Sequence, residues 1–184
     1  MSPHTNPQLG QDSRTSVLTF PVFHHLWRGA MVLCAMASYS DSLEIATSVE
    51  AAFEAVSHLE LMGRFSPENT GGKWLGSATG PAIGAKFKGT NAQGSTTWTT
   101  TAKVSHYEPP VAFAFDVSVG PVKVSHWSFR FEPTVLGCRV TELWVDRRSA
   151  LAKKFGNTGI DDRESYTRES IRTTLENLRT FLEA

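Results

Sequence analysis

Hydrophobic and polar positions follow three successive regimes along the chain. Over residues 42–48, Leu43 and Ile45 alternate with polar neighbours, the two-residue period of a short strand. Over 48–58, Val49, Phe53 and Val56 recur at helical spacing, and Glu50, Ala51, Ala52, Glu54 and Ala55 add helix propensity. Residues 61–65 predict a second short helix, ended by Pro67. After Asn69-Thr70-Gly71-Gly72, read as a turn, six β-rich segments follow at 74–79, 85–90, 96–107, 111–119, 122–131 and 138–147. Gly80-Pro81, 91–95, Glu108-Pro109-Pro110, Gly120-Pro121 and 132–137 separate them with turn compositions at hairpin lengths, which predicts an antiparallel meander.

The period then changes again. Ile171, Leu175, Leu178 and Leu182 form one apolar stripe of a helix running from about Asp162 to the end, with Asp161 or Asp162 as its cap. Glu164/Arg168 and Arg172/Glu176 are opposite charges four apart on its flanks. Residues 150–155 predict a further helical turn. The order of strand, one or two short helices, six strands and one long helix gives an α+β domain. Its curved seven-stranded antiparallel sheet needs a cover, and the last helix is the only large one. A sheet closing on a single helix commonly leaves volume that side chains do not fill, so a cavity is expected between them.

Strand alternation assigns the walls of that cavity, provided no bulge intervenes. Trp98, Thr100, Ala102, Val104 and His106 share a face. Phe113 and Phe115 share the next, then Trp127 and Phe129, then Val140, Glu142 and Trp144, and Phe87 joins from the preceding strand. The expected ligand-binding residues are therefore Phe87, Trp98, Phe113, Phe115, Trp127, Phe129, Glu142 and Trp144. Each aromatic alone reads first as core; together they also describe an apolar ligand site. Glu142 is the exception on its face: buried between Val140 and Trp144, a carboxylate must find a partner or become harder to ionise. His106 sits in phase with Trp98 at a strand end, while His58, His126, Asp116 and Tyr166 read as surface or packing residues.

Composition narrows the function classes. The 18 Lys and Arg balance 18 Asp and Glu, which argues against nucleic-acid or anionic-membrane partners. Cys34 and Cys138 cannot build a disulfide framework, and no His/Cys spacing suggests a metal; no cofactor is expected. No apolar run is long enough for a membrane span, and the expected location is cytoplasmic. No nucleophile elbow, zinc-protease helix or phosphate loop occurs, so no catalytic residue is assigned. Residues 1–37 stand apart from the domain at 38–184. The first 16 are polar and read as disordered. Two readings of the remainder stay open: a dispensable extension with Met31 or Met36 as the true start, or a signal using Ala35-Met36-Ala37 as its cleavage site.

Several blocks of the chain are similar to the START/Bet v 1-like (SRPBCC) superfamily, in particular to actinobacterial proteins labelled polyketide cyclase/dehydrase and lipid transport. They are Phe65-Ser66-Pro67-Glu68, Gly71-Gly72-Lys73-Trp74-Leu75, the stretch from Ala78-Thr79-Gly80-Pro81 to Gly89, Glu108-Pro109-Pro110, Phe113-Ala114-Phe115, residues 127–133 and Arg139-Val140-Thr141-Glu142. Phe65 stands where members often have Trp. The resemblance covers about 38–184 and implies a helix-grip fold that holds a small hydrophobic molecule, lipid, polyketide-like or isoprenoid-like, between sheet and C-terminal helix. Binding or carriage is the first expectation. A cyclase or dehydratase working in the same pocket is the alternative, and the resemblance carries over no catalytic set and no oligomeric state.

Overall fold

The computed structural model describes residues 38–155 and 160–184; the readings of 1–37 lie outside the described residues. Strand β1 (Ser38–Ile45) leads into helix α1 (Val49–Ser57) and a 3-10 helix (Leu59–Arg64). Strands β2 (Asn69–Trp74), β3 (Lys86–Gln93), β4 (Thr96–Glu108), β5 (Ala112–Val119), β6 (Val122–Pro133) and β7 (Cys138–Asp146) follow, then α2 (Ala150–Phe155) and α3 (Arg163–Leu182). All pairings are antiparallel, and the seven strands lie in the order β1-β7-β6-β5-β4-β3-β2. This is the α+β helix-grip architecture, a meander whose first strand returns to pair with its last.

Local chemistry explains the element ends. Ser48 caps α1 by accepting from the Ala51 N–H at 3.1 Å. Asp162 caps α3, its Oδ1 accepting from the N–H groups of Glu164 and Ser165. The i,i+4 pairs Arg168–Glu164 and Arg172–Glu176 form on α3 at 2.8 Å each. Ile171, Leu175 and Leu178 are fully buried, and α3 packs on β1 and β7. Its far end is tied down where the Ala46 N–H donates to Glu183 Oε1 and Asn177 Nδ2 donates to the Phe65 carbonyl.

Two expectations need correction. The strand placed at 74–79 is instead β2, which ends at Trp74, and the Asn69–Gly72 segment read as a turn lies within it. Gly71 takes φ 118° at a register shift, and Gly72 faces the ring of Phe87 so closely that a side chain has no room. The glycines thus serve a bulge and a close approach inside a strand, a pattern that resembles a turn in sequence. β1 also begins at Ser38, four residues earlier than its apolar alternation indicates.

The concave face has two unlike ends. At one, α1 presses Phe53 onto Tyr107 and Phe131, with ring centroids 5.5 and 5.4 Å apart, and Phe113 continues the cluster at 6.3 Å from Tyr107. This end is filled. At the other, α3 faces the sheet, Leu59 and Met62 of the 3-10 helix and Ala152 of α2 border the gap, and space remains.

Candidate ligand-binding cavity

That space is a cavity of about 490 Å³ between the sheet and α3, within the size range of small-molecule sites. Phe87 from β3, Trp98 from β4, Phe115 from β5, and Trp127 and Phe129 from β6 line it, with Glu142 and Trp144 from β7. The alternation of these strands therefore brings seven of the eight expected side chains to one wall. Phe113 is elsewhere. It shares a face with Phe115 but lies one step nearer α1, fully buried in the aromatic cluster of the filled end.

His106 is displaced by a different cause. A register shift between Val104 and His106 inserts one extra residue into β4, so Tyr107 turns inward and His106 outward, half-exposed and 3.2 Å from Glu108. His126 pairs with Asp116 at 2.8 Å, and Arg147 joins the same carboxylate at 3.1 Å. None of the three lines the cavity. Tyr166 donates to Gln93 Oε1, and burial raises its phenol above the usual range, with Glu68 adding to the effect.

The rim is charged and the floor is not. Where α3 starts, Arg163 holds the Glu68 carboxylate at the start of β2, and both line the cavity. On the opposite side Arg148 forks onto Asp146, Nε to Oδ1 at 3.0 Å and Nη2 to Oδ2 at 2.9 Å, and Lys153 approaches at 3.1 Å. Burial pushes the Asp146 carboxyl up, but these hydrogen bonds outweigh it and hold the group below the ordinary range. Trp127 is locked by its indole N–H donating to Ser125 Oγ at 2.9 Å and tilts against Trp144 at 6.5 Å.

Glu142 lies deep in this wall. The register aligns it with Phe129, and the next residue inward on its face, Val140, pairs with Phe131 of the filled end. It is 3% exposed, and its Oε2 is enclosed without a hydrogen-bond partner. Loss of hydration alone drives its carboxyl well above the ordinary value, so the neutral acid is favoured. Sequence reasoning missed the opposite wall. On α3, Thr167, Ser170 and Thr174 are all buried and line the cavity, a hydroxyl row beside the apolar stripe. Their spacing of three and four residues was the available signal.

The family model described as polyketide cyclase/dehydrase and lipid transport matches residues 36–183. The chain belongs to this family. Among solved structures, the chain is similar to the Polyketide_cyc-like protein Cgl2372 from Corynebacterium glutamicum. The two are 29% identical over 80% of this chain and 92% of that one, with a TM-score of 0.52. It also resembles the di-domain ARO/CYC StfQ from the steffimycin biosynthetic pathway (14% identity, TM-score 0.62), matching 80% of this chain and 51% of that one. Ara h 8.0201 shares the fold at 12% identity, with 80% and 98% of the two chains covered and a TM-score of 0.59. No curated protein sequence matches the chain. These likenesses establish a Bet v 1-like helix-grip fold. Among the described residues no His, Cys, Asp or Glu cluster could hold a metal, and no helix is long and apolar enough to cross a membrane.

Proposed function

We propose that this domain binds or carries a small hydrophobic molecule, lipid, polyketide-like or isoprenoid-like, in the cavity between its sheet and α3, as a cytoplasmic protein. The observation that carries the reading is the unfilled volume of about 490 Å³ faced by Trp98, Phe115, Trp127 and Trp144. Sequestering an apolar molecule needs buried area and little else, at about 0.8 kcal/mol for each CH₂ removed from water. An aromatic wall supplies that area without a catalytic group.

Native mass spectrometry of the protein purified from its own host tests this, followed by solvent extraction of whatever is released. A stoichiometric apolar molecule that survives buffer exchange is the expected result. A ligand-free mass together with failure to bind an apolar dye at micromolar concentration would overturn the reading.

One observation favours a second reading, a cyclase or dehydratase acting in the same pocket. The buried Glu142 acid is a group that could deliver a proton to a bound substrate. Glu142→Gln separates the two: an enzyme loses turnover by orders of magnitude, whereas a carrier changes affinity modestly.

A further inference from the structure

The polar groups of the cavity are arranged by kind, and their arrangement selects among hydrophobic ligands. This step rests on the binding reading above and names the chemistry of the occupant. Two cations line the cavity among the described residues, Arg148 and Arg163, and carboxylates hold both of them at the rim. A ligand carboxylate or phosphate would have to compete with Asp146 or Glu68 for either one. Away from these two pairs the polar lining is uncharged apart from one acid: hydroxyls, and the Asn69 and Asn91 amides, which are tied to each other and to Thr100. Thr167, Ser170 and Thr174 descend α3 from the Arg163 end over about 10 Å, at 1.5 Å per residue. The sheet wall contributes Glu142, its Oε2 enclosed and without a partner beside Phe129.

The charged groups across the strand from Glu142 are already engaged. Its cross-strand neighbour Asp41 on β1 faces Arg172 of α3 at 3.5 Å, and Arg172 also holds Glu176. β6 presents Phe129 and Phe131, and α1 turns Ala52, Phe53 and Val56 to the core. Among the described residues no cation therefore reaches Glu142 to keep it ionised. A buried polar atom left unpaired is costly, and native proteins rarely tolerate one without a reason. A ligand oxygen accepting from the acid O–H would satisfy it.

We infer that Glu142 meets the ligand as a hydrogen-bond donor, so that the occupant is an uncharged molecule bearing a ketone, ester or hydroxyl oxygen at its deep end. Neither a plain hydrocarbon nor a carboxylate fits this arrangement. A hydrocarbon leaves the acid and the hydroxyl row unsatisfied, and a carboxylate finds neither a free cation nor tolerance for charge beside Glu142.

Three probes of one shape test the inference: 2-acetylnaphthalene, 2-ethylnaphthalene and 2-naphthoate, titrated by calorimetry against the full chain and two variants. The wild type should bind the ketone and discriminate against the anion. Glu142→Leu should weaken the ketone by about five- to tenfold, the worth of one hydrogen bond, and leave the hydrocarbon unchanged or tighter. Glu142→Gln retains an N–H donor and should restore most of the ketone affinity. Difference infrared spectra should show a protonated carboxyl band that shifts when the ketone binds and is missing in both variants. Equal losses for ketone and hydrocarbon in Glu142→Leu, or naphthoate binding as tightly as the ketone, would overturn this inference and leave the binding reading standing. Binding of none of the three to folded wild-type protein would overturn both.

Discussion

Arg163 Nη1 lies 2.9 and 2.7 Å from the two carboxylate oxygens of Glu68, joining the first residue of α3 to the approach of β2 at the sheet edge. The two side chains are 17% and 18% exposed, so the contact is shielded more than a surface pair. It closes a span that the hydrophobic stripe of α3 does not reach, because Ile171, Leu175 and Leu178 anchor the later turns. Glu68→Gln should therefore cost about 1–3 kcal/mol, since a shielded guanidinium loses its counter-charge. The loss should concentrate at one end: amide exchange should quicken around residues 163–167 and stay slow near Leu178. Chemical denaturation and hydrogen exchange read the two effects. A uniform change along α3 would count against the clasp.

Glu142 makes stability depend on pH with a definite sign. Its ordinary value is 4.5, and burial raises it well above that in the folded protein. Between those limits the native state holds a proton that the unfolded chain has released, so stability falls as pH rises. Below the ordinary value both states are protonated and the penalty vanishes; above the raised value both are ionised and the slope flattens. Glu142→Gln removes this dependence. The variant should be more stable than wild type at neutral pH and equal to it near pH 4, by urea denaturation across the range. A difference that grows toward acid would contradict the buried neutral acid.

Much of this arrangement was legible in the sequence, and the failures share a cause. Period-two alternation placed Phe115, Trp127, Phe129, Glu142 and Trp144 on one wall because no bulge shifts β7 and those stretches keep their phase. It failed at His106 because a bulge adds a residue without any compositional mark. It could not separate Phe113 from Phe115, which share a face, because parity says nothing of position along the strand or of where α1 lands. The hydroxyl row of α3 went unread because Thr and Ser beside an apolar stripe look like its polar margin. Only the cavity turns that margin into a buried wall.

Ser125 and Trp127 offer a local test of how firmly the aromatic wall is held. The indole N–H of Trp127 donates to Ser125 Oγ at 2.9 Å, and both residues line the cavity. Ser125→Ala leaves that donor facing apolar neighbours and should cost about 1–2 kcal/mol in denaturation experiments. Freed of its partner, the ring should also lose its fixed tilt against Trp144. Tryptophan emission should then shift, and its response to an apolar dye should change in size. Unchanged stability and emission would mean that packing alone fixes the ring.

Gly72 tests the wall from behind. A Cβ added there would collide with the Lys88 carbonyl oxygen and lie 2.5 and 2.7 Å from two ring atoms of Phe87. The carbonyl belongs to the β3 backbone and cannot move without opening the β2–β3 ladder, where Gly72 pairs with Gly89. The ring is hemmed in as well, because Trp74 rests edge-on against it at 5.3 Å. Gly72→Ala must therefore lift β2 off the sheet or drive Phe87 into the cavity. Either outcome should cost about 1–3 kcal/mol and weaken binding of an apolar dye. Gly80 is the matched control: a Cβ there meets nothing within 4 Å, and Gly80→Ala should stay within about 0.5 kcal/mol of wild type with binding intact. If the two substitutions proved equally mild, the glycine at 72 would not be what lets β2 seat against the cavity wall.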